Sequence, residues 1–207
     1  MLVTRLKSTF KTNEPIFTNE ILRLFSEYSR AYVFRLIDDA EEKGELVSFD
    51  TGVYYLPVKS IMGVSTITAD DVVNKRYIKN RDEVYGVYSG LLLQNMFSAT
   101  TQMPNVIEVV TNKESMRCRK LMIDGRSVIL RKSRFTIDKN NVSAYTILQL
   151  FSETDVVFAD ERVRKAIKQY IIANRIAPTA LIELAGAFPA KTAKNLICSG
   201  VLNEITQ

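Results

Sequence analysis

The sequence predicts an α+β fold in two parts, and three features point to it. Residues 1–57 carry helical apolar stripes separated by turn residues and close on a hairpin signal. Val106–Thr111 is β-branched and alternating, and Asp124-Gly125 is a two-residue hairpin signal between Arg117–Ile123 and Arg126–Arg131. After Ile137 the apolar spacing becomes helical again.

The first part divides into short elements. Leu2, Leu6 and Phe10 fall on one side of an opening helix, which Pro15-Ile16-Phe17 breaks. Thr18 is placed to cap a second short helix carrying Ile21, Leu22, Leu24 and Phe25, and Glu27-Tyr28 turns tightly into a third. Ser29 suits the N-cap of that third helix, because its hydroxyl accepts from unpaired N–H groups of the first turn. Val33, Leu36, Ile37 and Ala40 form its apolar face, and Gly44 follows its last turn. Leu46–Phe49 and Val53–Leu56 flank Asp50-Thr51-Gly52, a hairpin loop ending in glycine. Helix, helix, turn, helix, hairpin is the order of a winged helix-turn-helix, whose third helix is sized for the major groove of DNA. A protein-docking winged helix, or a small α+β subdomain with no nucleic acid partner, has the same pattern.

A short linker is expected around Val58–Thr66, dividing a domain of residues 1–60 from one of residues 61–207. The second domain is expected to be mixed α/β, with a small antiparallel sheet and C-terminal helices. Asp70–Ile78 reads as a helix and Tyr85–Tyr88 as a strand, with Ser89 capping a helix through Phe97. Val106–Thr111 is a strand. Arg117–Ile123 and Arg126–Arg131 are strands across Asp124-Gly125, so that Ile123 pairs Arg126, Leu121 pairs Val128, Arg119 pairs Leu130 and Arg117 pairs Lys132. A helix runs through Tyr145, Leu148 and Phe151, and the remainder is expected to be helical, with Asp160 as a cap and Pro178 and Pro189 at helix starts.

Composition narrows the function classes. The chain has 207 residues and 46% hydrophobic content, enough for one large or two small cores. No apolar run approaches the ~20 residues that cross a membrane, and Met1–Pro15 lacks the apolar segment of a secretion signal. Cys118 and Cys198 are isolated, which fits a cytoplasmic protein with reduced thiols. There is no histidine, so Ser-His-Asp and Cys-His nucleophiles and histidine metal sites are excluded. No phosphate-binding glycine loop occurs. The adjacent acids at Asp38-Asp39, Glu41-Glu42, Asp70-Asp71, Asp82-Glu83 and Asp160-Glu161 do not face one another on a helix. No catalytic residue, metal or cofactor is expected.

Charge is uneven. The net is +5, yet residues 1–60 carry eight Lys and Arg against nine Asp and Glu, a net of −1. Residues 74–134 carry twelve against five, a net of +7. Phosphate attraction dominates non-specific DNA affinity, so a near-neutral DNA module binds weakly unless it dimerises or the basic region helps. Within that basic region Arg117, Arg119, Arg131 and Lys132 gather at the open end of the hairpin. Like charges directly opposite are destabilising, so the cluster is solvated, paired with acids or set to hold an anionic partner. In the third helix, Ser29, Arg30, Tyr32 and Arg35 occupy the N-terminal half that reaches base edges, with Tyr32 alternatively part of the core. Thr51 stands at the hairpin tip, for the DNA backbone. Asp38, Asp39, Glu41 and Glu42 follow and are expected to point away from DNA.

Taken together, the motifs resemble the AbiEi-like antitoxin and transcriptional regulator family of bacterial toxin–antitoxin systems. Three groups carry the resemblance: Glu42-Lys43-Gly44-Glu45-Leu46 with Gly52-Val53-Tyr54-Tyr55-Leu56-Pro57; Gly86-Val87-Tyr88-Ser89-Gly90 with Thr100-Thr101-Gln102-Met103-Pro104-Asn105 and Glu108–Asn112; and Arg131–Arg134 with Ile137 and Asn140. They span about residues 1–150, and the second group is the most specific. The resemblance implies a winged helix that binds the operator of its own operon; the helix-turn-helix reading adds the expectation of an inverted repeat bound by a dimer or paired monomers. It also implies a C-terminal domain that neutralises a co-encoded nucleotidyltransferase-like toxin, directly or indirectly. One departure is Ser48-Phe49-Asp50-Thr51, where family wings are often basic; Asp50 would repel phosphate. Two further classes compete with this reading. One is a protein-interaction module without DNA binding, and the other is a nuclease with a winged-helix targeting arm.

Overall fold

The structure is a computed structural model that describes residues 1–60, 63–154 and 160–202. The protein is α+β and divides into two compact units, Met1–Lys75 and Arg76–Gln207.

The first unit contains α1 (Leu2–Thr9), β1 (Ile16–Phe17), α2 (Thr18–Leu24), α3 (Arg30–Glu42), β2 (Val47–Asp50) and β3 (Val53–Tyr55). Its core joins Leu2, Leu6 and Phe10 to Ile21, Phe25, Val33, Ile37, Ala40, Leu46 and Leu56, so one apolar face from each helix meets the hairpin. Ser29 caps α3 as expected, accepting from the Tyr32 N–H at 3.3 Å. The segment Ile16–Phe17 does more than break α1. It forms a third strand, and the sheet order is β1-β3-β2 with both pairings antiparallel. Thr18 is not the cap of α2. Its hydroxyl and its N–H both donate to the Gly52 carbonyl, at 3.2 and 3.0 Å. The start of α2 is held instead by Glu20, which accepts from the Phe17 N–H at 2.9 Å. In the hairpin the register shifts between Ser48 and Asp50, leaving Phe49 as the extra residue of a bulge.

The expected linker is partly structured. Lys59–Ser60 (β4) pairs with Gly63–Val64 (β5), while residues 61–62, at the centre of the expected linker, lie outside the described residues. The boundary falls after Lys75, not at residue 60, because α4 (Ala69–Val73) and the π-helical turn Asn74–Ile78 carry Lys75 into the first core. The Lys75 side chain is buried, and its ammonium donates to Glu14 at 2.8 Å and to the Pro15 carbonyl at 2.6 Å. It also pairs with Glu20 at 3.2 Å and lies 4.7 Å from the Phe10 ring centre. The expected Asp70–Ile78 helix is thus α-helical only in its first half.

The second unit contains a ribbon of β6 (Lys79–Asn80) and β7 (Glu83–Val84), then β8 (Gly86–Ser89), α5 (Gly90–Met96), β9 (Val106–Thr111), β10 (Arg119–Ile123) and β11 (Arg126–Lys132). Helices α6 (Val142–Glu153), α7 (Glu161–Ala173), α8 (Pro178–Ala185) and α9 (Ala190–Cys198) follow. Residues 155–159 and 203–207, expected to be helical, lie outside the described residues. The hairpin register across Asp124-Gly125 holds from Ile123↔Arg126 to Arg119↔Leu130. Both turn residues have positive φ, 46° and 72°, as a two-residue loop needs. The sheet is mixed, not antiparallel: its order is β10-β11-β9-β8, and β11 runs parallel to β9 from Ser127↔Val106 to Lys132↔Thr111. Helix α6 is buried on nearly every side from Ala144 to Phe151 and packs with Val87, Val110, Ile167, Leu181 and Leu196 into one core.

Lys75→Ala should lower the unfolding free energy by about 3 kcal/mol, since it leaves two carboxylates facing each other without their cation. Urea unfolding measures this. Adding Glu14→Gln and Glu20→Gln to Lys75→Met should recover part of the loss.

Candidate functional sites

Two surfaces hold the expected site residues, one in each unit. On α3, Ser29, Arg30, Tyr32 and Arg35 are all exposed. Tyr32 is not part of the core: it is 42% exposed, and its ring rests against Tyr28 with centroids 5.2 Å apart. The Arg30 guanidinium stands 5.5 Å from the Phe34 ring centre, within cation–π range. Val33, Ile37 and Ala40 anchor the opposite side of the helix. The acids need a correction. Asp38, Asp39 and Glu42 are exposed, and residues three, four and seven positions past Arg35 share its stripe. From Arg30 they lie about 12–18 Å along the helix axis at 1.5 Å per residue, and are turned from it around the axis by roughly 80–180°. Glu41 is half-buried, and desolvation, reinforced by the Asp38 charge, holds its carboxyl above the ordinary range. Thr51 is exposed at the hairpin tip, where its N–H donates to the Asp50 carboxylate at 2.6 Å.

The basic cluster of the second unit is rearranged relative to expectation. Strand β10 begins at Arg119, so Arg117 stands off the ladder and does not pair with Lys132. Arg119 turns to the buried carboxylate of Glu114 at 2.8 Å, which takes it out of the cluster. Arg117, Arg131, Lys132 and Arg134 instead line a cavity of about 280 Å³ with Val110, Tyr145 and Gln149. Arg131 pairs with Glu108 at 3.1 Å. Tyr145 is fully buried, and its hydroxyl accepts from the Arg134 N–H at 3.0 Å. Burial holds that phenol above its usual range, against the opposing pull of the Arg134 N–H. Gln149 is buried, and its amide donates to Glu153 at 2.6 Å.

Arg134, Tyr145, Gln149 and Glu153 were not among the expected site residues. A signal for three of them exists in the sequence: Tyr145, Gln149 and Glu153 are spaced by four residues on a helix whose other residues are mostly apolar. Glu153 also corrects the expected Ser89 cap. The Ser89 hydroxyl donates to Glu153, and the other Glu153 oxygen accepts from the Gly90 N–H at 2.9 Å. A carboxylate from α6, rather than Ser89, thus closes the start of α5.

The most specific sequence motif has structural work to do around this cavity. A Cβ on Gly86 would lie 2.1 Å from the Tyr77 carbonyl and 2.9 Å from that of Val110. Gly90 has φ +61°, and a Cβ there would meet Glu108 at 2.5 Å. Thr111 donates to the Tyr85 carbonyl at 3.0 Å. The Asn112 amide bonds both the N–H and the carbonyl of Ile137, at 2.9 and 2.7 Å. Together these contacts tie β8, the end of β9 and the approach to α6 into one arrangement behind the cations.

Gly86→Ala should therefore destabilise the protein by about 3 kcal/mol or more, because both obstructing atoms are backbone and cannot swing aside. Denaturant midpoints at unchanged slope are the measure.

Compared with known proteins, the chain matches no family model and no curated sequence.

Proposed function

We propose that the protein is an operator-binding transcriptional regulator that also counteracts a co-encoded nucleotidyltransferase-like toxin, in the manner of the AbiEi-like family it resembles. In this reading the first unit is a winged helix, α3 its recognition helix and the β2–β3 turn its wing. The role is cytoplasmic and requires no catalysis. The observation that carries the DNA-binding part is the outer surface of α3. Its first two turns expose Ser29, Arg30, Tyr32 and Arg35 while three core residues fix the helix from behind. Arginine reads guanine through a bidentate contact, and serine bonds phosphate or base. The acids of the same stripe repel phosphate, so DNA meets the N-terminal end of the helix and not its length.

A second reading has its own support. The net −1 of residues 1–60, with Asp38, Asp39 and Glu42 exposed, suits a module that docks a protein and leaves DNA alone. A shift assay on the DNA upstream of the gene separates the two. Arg30→Ala and Arg35→Ala should each weaken specific binding by about 1–3 kcal/mol. Equal affinity of both variants for operator and random DNA would remove α3 from the interface and favour protein docking.

The antitoxin part is assigned to the second unit, which carries the basic cluster and the more specific motifs. A toxin of this class works on anionic substrates, so a cationic surface fits either its acidic site or the RNA it modifies. Arg117→Glu, Arg131→Glu and Lys132→Glu combined in the full chain should impair rescue of toxin-expressing cells while leaving the thermal melt within a few degrees. Full rescue by that variant would end the assignment.

A further inference from the structure

We infer that the cavity between the end of β11, Arg117 and α6 is a binding site for a phosphoryl group. Its lining is strongly cationic: four side chains, Arg117, Arg131, Lys132 and Arg134, share one pocket. Among the described residues a single carboxylate, Glu108, pairs with one of them, at Arg131. Arg117 and Lys132 have no carboxylate partner among the described residues. Gathering like charges costs free energy, so a folded protein that holds four of them around a concave surface gains from an anion there.

The uncharged lining points the same way. Tyr145 is fully buried against the cavity and already accepts from the Arg134 N–H. Its own hydroxyl proton has no acceptor among the described residues, so the phenol has a hydrogen bond to donate. A phenol is ordinarily protonated at neutral pH, and burial shifts this one further the same way. The backbone that carries two of the cations, and the Gln149 amide, are also held in position. Arg131 and Lys132 end a strand that is paired in register with β9 as far as Thr111, and Gln149 is anchored through Glu153. Groups fixed before binding lose little freedom when the ligand arrives.

Size and shape select among anions. A cavity of about 280 Å³ lies at the small end of ligand sites, right for a phosphate or pyrophosphate group and too small to enclose a whole nucleotide. Guanidinium forks match phosphate oxygens two at a time. A phosphoryl group spreads its oxygens over a tetrahedron and takes donors from several directions, as offered here, whereas a carboxylate presents two in one plane. The phosphoryl group has two possible sources: free polyphosphate or nucleotide, and the terminal phosphate of an RNA.

This site shares the basic cluster with the antitoxin reading, yet it is tested without a toxin, so the two fail separately. The purified full chain is titrated calorimetrically at matched ionic strength with pyrophosphate, ATP without metal, a short RNA bearing a 5′-phosphate or a 5′-hydroxyl, and an oligoglutamate peptide. Saturable 1:1 binding of pyrophosphate or ATP is expected if the source is free, and of the 5′-phosphorylated RNA alone if it is an RNA end. Arg117→Ala, Lys132→Ala and Tyr145→Phe should each weaken binding about tenfold, the loss of one hydrogen bond to a charged group. Arg119→Ala, outside the cavity, should leave binding unchanged. Where Tyr145→Phe lowers the thermal melt, the two surface variants decide. Absence of saturable binding, equal binding of oligoglutamate or of both RNAs, or an equal loss in Arg119→Ala would overturn the site.

Discussion

Strand β11 is hydrogen-bonded along both edges, to β10 through a two-residue turn and to β9 in parallel, and most of the second unit is arranged by that double pairing. A strand paired on both sides cannot slip by one residue without exchanging its buried and exposed faces. Val128 and Leu130 are therefore committed to the interior, and Arg131 and Lys132 to the strand's end. Thr111, opposite Lys132, is bound to Tyr85, and Ser133 donates its N–H to Thr111. The chain then turns through Arg134, whose N–H meets the Tyr145 hydroxyl of α6. The position of the cations thus follows from strand register and one buried phenol.

The first unit is arranged around a buried ammonium in the same sense. Lys75 collects Glu14, Glu20 and the Pro15 carbonyl, groups flanking β1 and α2. A buried charge is tolerated only when paired and hydrogen-bonded. That requirement explains why the unit extends past the small ribbon to Lys75, and why Glu20 lies at the start of α2, where it also bonds the Phe17 N–H.

Much of this was legible in the sequence, and the reasons for the rest are specific. The Ser29 cap, the α3 core stripe and the Asp124-Gly125 register are short-range properties, set by neighbours within a few residues. The parallel β9–β11 pairing was not legible, because no local rule says which strand takes the open edge of a hairpin. The same holds for β1, whose two residues are too few to show alternation. Thr18 and Ser89 both sat where a cap belongs, yet each hydroxyl found a partner distant in sequence, Gly52 and Glu153. Local capping propensity gave way to tertiary hydrogen bonds. Arg119 left the basic cluster for a similar reason: the proximity of Glu114 is a property of the folded loop before β10.

Net charge is a weak guide to where an anion binds in such a molecule, and carboxylate placement is a better one. Glu114 and Glu108 each answer one arginine of the basic region, and Glu14 and Glu20 answer Lys75. Once these pairs are set aside, Arg117, Lys132 and Arg134 remain around the cavity, with Arg134 lying over the Phe188 ring. On α3, Arg30 likewise leans on a ring, that of Phe34, and Arg35 stands exposed. A cation over an aromatic face keeps its charge and its donors while losing side-chain freedom. Arg30 and Arg134 are thus cations placed against a ring, and neither pairs with a carboxylate among the described residues. Such charge suits the phosphate-bearing partners proposed for the two surfaces.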